Sequence, residues 1–414
     1  MLKVENKIGI LINWPREFDM YSQLINHIPN KKIRIIVNDI KGFDKERFRN
    51  FDQIKKILIS KKIYNFELFS NIYKKKKYKI ILSTGESCTH KLSLYSIFKW
   101  TYGQTAGRFI EWSNLSRLFK KLFNRPFSAE GKYSSPFARW FPERDISEIS
   151  VKYPQGMDLN YIYPDISWKK YFDIFLTHGH SDSKMIKNKF PSKEIFIIGY
   201  PRYEKLKKFH FTKKQKKDFI NIDNFNKNKK TILWLPTYFK YKEIYGENIF
   251  KWLEKIRYLT HKYNIIIRPH PKTLHTSPNL INYLKKENFI IDTRQDRKLG
   301  ELINFSNLVM CDYGGPIFSS LYLEKNIILL NYFKNSRFVK EKINSYSFDI
   351  EVRKFLTNCN LDLDKKMFNK IIENEIKFLN KKKIMKIKNY YYGEEKHFNS
   401  ISKTSKYLIN KLTN

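Results

Sequence analysis

Leu308–Tyr332, LVMCDYGGPIFSSLYLEKNIILLNY, is the stretch whose reading decides the fold. It reads as strand, tight turn, short helix and second strand. Leu308, Val309 and Met310 make a buried apolar run, and Asp312-Tyr313-Gly314-Gly315 makes the turn. Pro316 suits the first position of a helix, where its missing N–H costs nothing. The two glycines ahead of it let the backbone approach a ligand closely, and the N–H groups at a helix start form an anion site. An ordinary strand–helix connection can carry glycines in the same place, so the reading depends on the rest of the chain.

Upstream of this stretch the pattern repeats. Thr231–Leu235 is a strand ending at Pro236-Thr237, Asn264–Ile267 is a strand running into Arg268-Pro269-His270-Pro271, and Phe289–Asp292 is a short strand. Helical spacing is expected over Phe250–Lys262 and Lys298–Ser306, and downstream over Met367–Leu379. A last helix around Ser402–Leu412 is expected to pack back across the first half of the chain. Short apolar strands alternating with helices give an α/β fold whose parallel sheets are covered on both faces.

Further out, residues 205–230 are Lys/Asn-rich and weakly periodic, which makes them the expected linker. The domains then read as 1–204, 231–385 and a helical tail over 386–414. In the first of these, strands are expected over Lys7–Asn13, Ile33–Val37, Tyr78–Ser83, Ile149–Pro154, Phe172–Thr177 and Glu194–Tyr200. Ligands of such sheets sit at the carboxyl ends of the strands, which places Trp14, Glu86 and Ser87 near a cleft. Phe109–Asn124 is an amphipathic segment with Trp112 and several phenylalanines on one side and Arg117, Lys120 and Lys121 opposite. It fits either a core-facing helix or a helix lying in a membrane interface.

The 414 residues carry 80 Lys and Arg against 40 Asp and Glu, a formal net charge of +40. That excess points to an anionic partner or to a chain-wide bias toward Lys, Ile and Asn. It is spread along the chain rather than gathered into one basic arm, which argues against nucleic acid. The 42% hydrophobic fraction supports full cores. Cys88, Cys311 and Cys359 lie far apart with no metal spacing, as in a reduced cytoplasmic protein. The start of the chain lacks a signal-peptide pattern, and no apolar run is long enough to span a membrane. His178, His180 and Asp182 lie close together, but no further ligand completes a metal site.

Four strand ends thus offer Arg202, Thr237, Arg268 with His270, and the Gly314-Gly315 turn. An arginine fork, a histidine donor and backbone N–H groups are what a departing nucleotide phosphate needs. In this order, Gly199-Tyr200-Pro201-Arg202, Leu235-Pro236-Thr237, Arg268-Pro269-His270-Pro271 and Cys311-Asp312-Tyr313-Gly314-Gly315 resemble the motifs of the CDP-glycerol:poly(glycerol phosphate) glycerophosphotransferase family. The resemblance spans residues 151–332.

It implies two Rossmann-like domains facing a central cleft (GT-B), with a CDP-linked polyol donor in the second domain. It also implies a polysaccharide or lipid-linked acceptor in the first, no required cofactor, and peripheral attachment to the inner face of the cytoplasmic membrane. By the resemblance His270 aids catalysis at the donor phosphate. Gly314-Gly315 replace two serines of the family's turn, and Ser319 stands where many members have Asp. Gln155-Gly156 occupy the place of a His-Gly pair whose histidine is the family's expected base. A glutamine takes no proton at neutral pH, so His178, Glu86 and Asp158 become the other candidates for that role. A nucleotide-sugar glycosyltransferase of the same fold is the alternative.

Overall fold

The computed structural model describes residues 4–39, 45–63, 65–72, 75, 77–85, 142–157, 172–206, 225–237, 245–276, 278–287, 289–294, 297–332, 339–340, 343, 347–378, 380–394 and 401–413. Glu86, Ser87, Asp158, the Phe109–Asn124 segment and most of the expected linker lie outside them.

Two parallel sheets organise these residues. The first holds β1 (Glu5–Ile12), β2 (Ile33–Val37), β3 (Phe66–Leu68), β4 (Tyr78–Ser83), β5 (Ser147–Lys152), β6 (Ile174–Thr177) and β7 (Glu194–Ile197), in the order β3-β2-β1-β4-β5-β6-β7. The second holds β8 (Thr231–Leu235), β9 (Asn264–Ile267), β10 (Ile290–Ile291), β11 (Leu308–Cys311), β12 (Ile327–Leu330) and β13 (Thr357–Cys359), in the order β10-β9-β8-β11-β12-β13. In each sheet the strand order reverses beside its first strand. The crevices where α/β sheets take ligands therefore open between β1 and β4 and between β8 and β11.

Alternation along the strands explains why both faces are covered. Ile8, Ile10 and Ile12 join one core, with Ile35, Val37, Ile80 and Leu82, while Leu11, Ile36 and Ile81 join the core on the opposite face. Likewise Ile232, Trp234, Leu308 and Met310 pack on one side of the second sheet, and Leu233, Leu235, Val309 and Cys311 on the other.

The second core does not stop at its own sheet. Tyr200 and Tyr203, from the segment after β7, pack into it beside Ile317, Phe318, Tyr322, Tyr391 and Tyr392. The helix Lys381–Tyr392 forms the other wall of this seam. Its Tyr392 ring lies 5.2 Å from Tyr322, and Ser181 Oγ donates to Tyr390 O over 3.0 Å. The helix Ile401–Thr413 then buries Ile401, Leu408 and Leu412 in the first sheet's core, and Tyr407 stacks on Phe196 at 4.1 Å. The chain thus returns to its first half, as the periodicity of its last residues indicates.

Candidate active site

The crevice between β8 and β11 is built around Asp312. This residue directly follows β11 and is fully buried. Trp234 Nε1 donates to Oδ1 at 2.9 Å, and Tyr332 OH and the Thr237 N–H donate to Oδ2 at 2.7 and 3.2 Å. Burial pushes its carboxyl up to about 6, against the pull of these donors. Asp312 thereby ties the ends of β8, β11 and β12 together from beneath the crevice. Arg353 adds a second tie, since it donates to Asp312 O and to Asn331 Oδ1 and lies 3.9 Å over the Tyr313 ring.

Gly314 follows with φ of 91°, a conformation that glycine adopts at no steric cost. Its N–H donates to Asp349 Oδ2 over 2.7 Å. The helix Gly315–Tyr322 starts directly after it, with Pro316 in its second position rather than its first. Ser319 is buried, donates to Gly315 O at 3.2 Å, and lies 3.3 Å from Tyr200 OH. Ser319 thus joins the helix Gly315–Tyr322 to the first domain.

At the end of β9, Arg268 and Arg297 both donate to Asp292, Arg297 over 3.1 Å, and Asp292 is buried. Two guanidiniums on one carboxylate leave one net positive charge beside the crevice. His270 follows two residues later, half-buried, and its carbonyl accepts from Thr273 N at 2.8 Å.

The carboxyl edge of the first sheet is arranged differently. Glu17, in the first turn of the helix Pro15–Ile25, is fully buried. It accepts from Asn13 N at 2.6 Å, from Trp14 N at 3.3 Å and from Thr84 Oγ1, and so bridges the ends of β1 and β4. Asp182 closes the start of the helix His180–Lys189, accepting from His178 N and Gly179 N, both in the loop after β6, at 2.8 Å each. Burial raises its carboxyl to about 6.

His178 lies in the seam, 4.4 Å from the Tyr200 ring. Its Nδ1 is 2.9 Å from Gly199 O. A carbonyl only accepts, so Nδ1 carries the proton and Nε2 bears a lone pair, which has no partner. Burial lowers its pKa to about 4. Arg202 is committed to Asp19, with Nε 2.6 Å from Oδ2. Gln155 is half-buried at the end of β5, Gly156 and Met157 follow it into the interior, and Trp14 is half-buried at the end of β1.

Asp349, Glu17, Asp292 and the seam tyrosines are the residues that sequence reasoning missed. Glu17 and Asp182 had a signal, an acid in the third position of a helix. Asp349 and Asp292 had none. Among the described residues no group of three His, Cys, Asp or Glu could hold a metal ion, and no helix is long and apolar enough to cross a membrane.

Two parallel α/β domains meet through segments that follow their strands' carboxyl ends, as Tyr200 and Ser319 show, and this defines a GT-B architecture. The sequence pattern of the CDP-glycerol:poly(glycerophosphate) glycerophosphotransferases matches residues 167–403, and the chain belongs to that family. Among solved structures it is similar to the wall teichoic acid polymerase TagF. The identity is 14% and the TM-score 0.52, with 99% of this chain and 89% of that one covered. A putative UDP-N-acetylglucosamine 2-epimerase from Listeria monocytogenes shares the fold at 11% identity and a TM-score of 0.51, over 93% and 91% of the two chains. No curated protein matches. The family makes the chain a glycerophosphotransferase-like enzyme and does not favour the nucleotide-sugar alternative.

Proposed function

We propose that the enzyme transfers a polyol phosphate from a CDP-linked donor to a hydroxyl of a cell-surface polysaccharide or lipid-linked acceptor. The observation that carries this is the crevice between β8 and β11. Thr237, Asp312 and the Gly314-Gly315 turn meet there, with Arg268 and His270 at the neighbouring strand end, in the domain that the family pattern covers in full. The acceptor oxygen attacks the polyol-bearing phosphorus in line with the departing bond. The new O–P bond forms as the P–O bond to CMP breaks, and CMP leaves with the electron pair. The hydroxyl proton passes to a base on the acceptor side.

Arg268 and the helix start after Gly314 stabilise charge on the transferring phosphoryl group, and His270 donates to the departing phosphate oxygen. No residue of the chain need supply a covalent intermediate. Incubation with CDP-glycerol, CDP-ribitol and a panel of nucleotide sugars tests this through the nucleotide released. CMP from a CDP-polyol is the expected product, and UDP from a UDP-sugar would overturn the reading. The proposal also places the enzyme at the inner face of the cytoplasmic membrane, where lipid-linked acceptors are found.

A further inference from the structure

One helical turn, Pro201–Glu204, follows β7 and stands where the two domains meet. Tyr200, just ahead of it, lies 3.3 Å from Ser319 Oγ in the helix Gly315–Tyr322. Tyr203 and Leu206 lie against Gly300 in the helix Leu299–Phe305. A Cβ on Gly300 would stand 2.7 Å from the Tyr203 ring and 2.4 Å from Leu206 Cδ1. Asn304 of the same helix donates to Leu206 O over 2.6 Å. These contacts clamp the turn to the second domain.

The remaining two side chains of the turn reach back to the first domain. Glu204 accepts from Ile401 N at 3.4 Å, at the start of the helix Ile401–Thr413. Arg202 Nε donates over 2.6 Å to Oδ2 of Asp19, in the helix Pro15–Ile25. The Arg202 guanidinium also lies 5.4 Å from the centre of the clamped Tyr203 ring.

Asp19 lies two residues after Glu17, whose carboxylate bridges the ends of β1 and β4. Phe18, Tyr21 and Leu24 pack the same helix into the first core, and Tyr153 OH donates to Met20 O over 3.0 Å. Those contacts join the helix to its own sheet. The Asp19–Arg202 pair joins it instead to the turn that the second domain holds. Its two side chains are 27% and 26% exposed. A pair so open to water adds little to overall stability. Its use lies in position, because a short charge-assisted bond holds two segments in one register.

We infer that Arg202 is a positioning residue of the transferase rather than a ligand of the CDP-linked donor. Its ion pair with Asp19 sets the helix Pro15–Ile25, and with it the Glu17 bridge across the crevice between β1 and β4, in register with the second domain. This rests on the transfer reaction proposed above, because the register it sets is that of acceptor to donor.

Two measurements on the full chain test this. Hydrogen exchange reads the helix Pro15–Ile25, and CMP release over a range of CDP-glycerol concentrations, with a membrane lipid extract as the acceptor source, reads kcat and KM. In Arg202→Ala, exchange over residues 15–25 is expected to quicken about tenfold or more, while residues 231–330 keep the parent's rates. The kcat falls by about tenfold or more, as it does when reacting partners are misplaced, and KM for CDP-glycerol stays within about twofold. Asp19→Ala does the same, and the double variant loses less than the sum of the two. Arg202→Lys keeps the charge and recovers part of both losses. A large rise in KM with unchanged exchange over residues 15–25 would overturn the inference and return Arg202 to the donor. Quickened exchange with unaltered kcat would overturn it as well, since the pair would then serve the fold alone. A parent that releases no CMP from any CDP-polyol sinks the transfer reading, and the exchange rates of the variants still decide whether the pair sets the helix.

Discussion

Gly314 donates its backbone N–H to the Asp349 carboxylate over 2.7 Å, and this bond fixes the turn that opens the helix Gly315–Tyr322. Asp349 is fully buried and also accepts from Ser347 Oγ. Replacing it with Ala leaves the Gly314 N–H without its acceptor, at a cost of about 1–3 kcal/mol. Asp349→Ala is therefore expected to lower Tm and to raise the donor KM several-fold in a CMP-release assay. Asp349→Asn keeps an oxygen in place and loses less than half as much. Equal losses in both variants would show that the charge, not the hydrogen bond, holds the turn.

Gly314→Ala acts on the same turn through the backbone. A residue with a Cβ at φ of 91° is strained by about 1–3 kcal/mol. The change is expected to lower Tm and weaken CDP-glycerol binding together, read by thermal unfolding with and without the nucleotide. A shift in Tm with unaltered nucleotide affinity would separate the turn from the donor.

His270 is half-buried at the carboxyl end of β9. His270→Ala is expected to cut kcat by about 10²–10⁴-fold, the range for loss of a positioned proton donor. Tm should stay within a degree or two. A variant that keeps its turnover would exclude His270 from the chemistry.

The fold was legible because apolar runs such as Thr231–Leu235 and Asn264–Ile267 coincide with strands that are buried along their whole length. β3 and β13 were not legible. Each has three residues, and Phe66-Glu67-Leu68 and Thr357-Asn358-Cys359 carry no apolar run. The first turn of the helix Lys381–Tyr392 escaped because its lysines hide the buried face made by Ile384, Ile387 and Tyr391, and even Lys388 is buried, held by Glu324 at 2.6 Å.

The site was half legible. Gly314, Arg268 and His270 are candidates by their type and position at strand ends. The groups that hold them, Asp349 and Asp292, reach the site from 35 and 24 residues away, and no local pattern marks them. The seam had the weakest signal, since Tyr200 and Tyr392 meet only through the tertiary fold.

Gly179 shows how tightly that seam is closed. A Cβ on it would lie 2.3 Å from Tyr392 Cα and 2.7 Å from Tyr391 O, both backbone atoms that cannot rotate away. Its φ of −170° suits any residue, so close approach alone requires glycine here. Gly179→Ala is expected to push the helix Lys381–Tyr392 off the helix His180–Lys189, at a cost of about 1–3 kcal/mol or more. Limited proteolysis should then cut between residues 378 and 401 faster than in the parent. Unchanged cleavage and Tm would show that the seam takes the added Cβ without the two helices parting.

His178 and Asp182 titrate in opposite senses across one short segment. His178 falls to about 4 from an ordinary 6.5, so its neutral form is favoured by folding. Its contribution is present above pH 6.5 and is lost as pH falls toward 4. Asp182 rises to about 6 from 3.8, so its contribution is present below 3.8 and is lost as pH rises through 6. Between pH 4 and 6 the two slopes oppose each other, and Asp312, also raised to about 6, adds to the second. His178→Gln removes the first slope. The variant is less stable overall, and its stability relative to the parent falls further as pH rises from 4 to 6.5. Asp182→Asn shifts the balance the other way and gains relative to the parent over the same range. Surface carboxylates such as Glu5 and Glu194 titrate alike in all three proteins and cancel in the comparison. Urea unfolding at half-unit steps of pH reads both differences. Parallel curves for parent and His178→Gln would show that the imidazole titrates normally and is not enclosed in the seam.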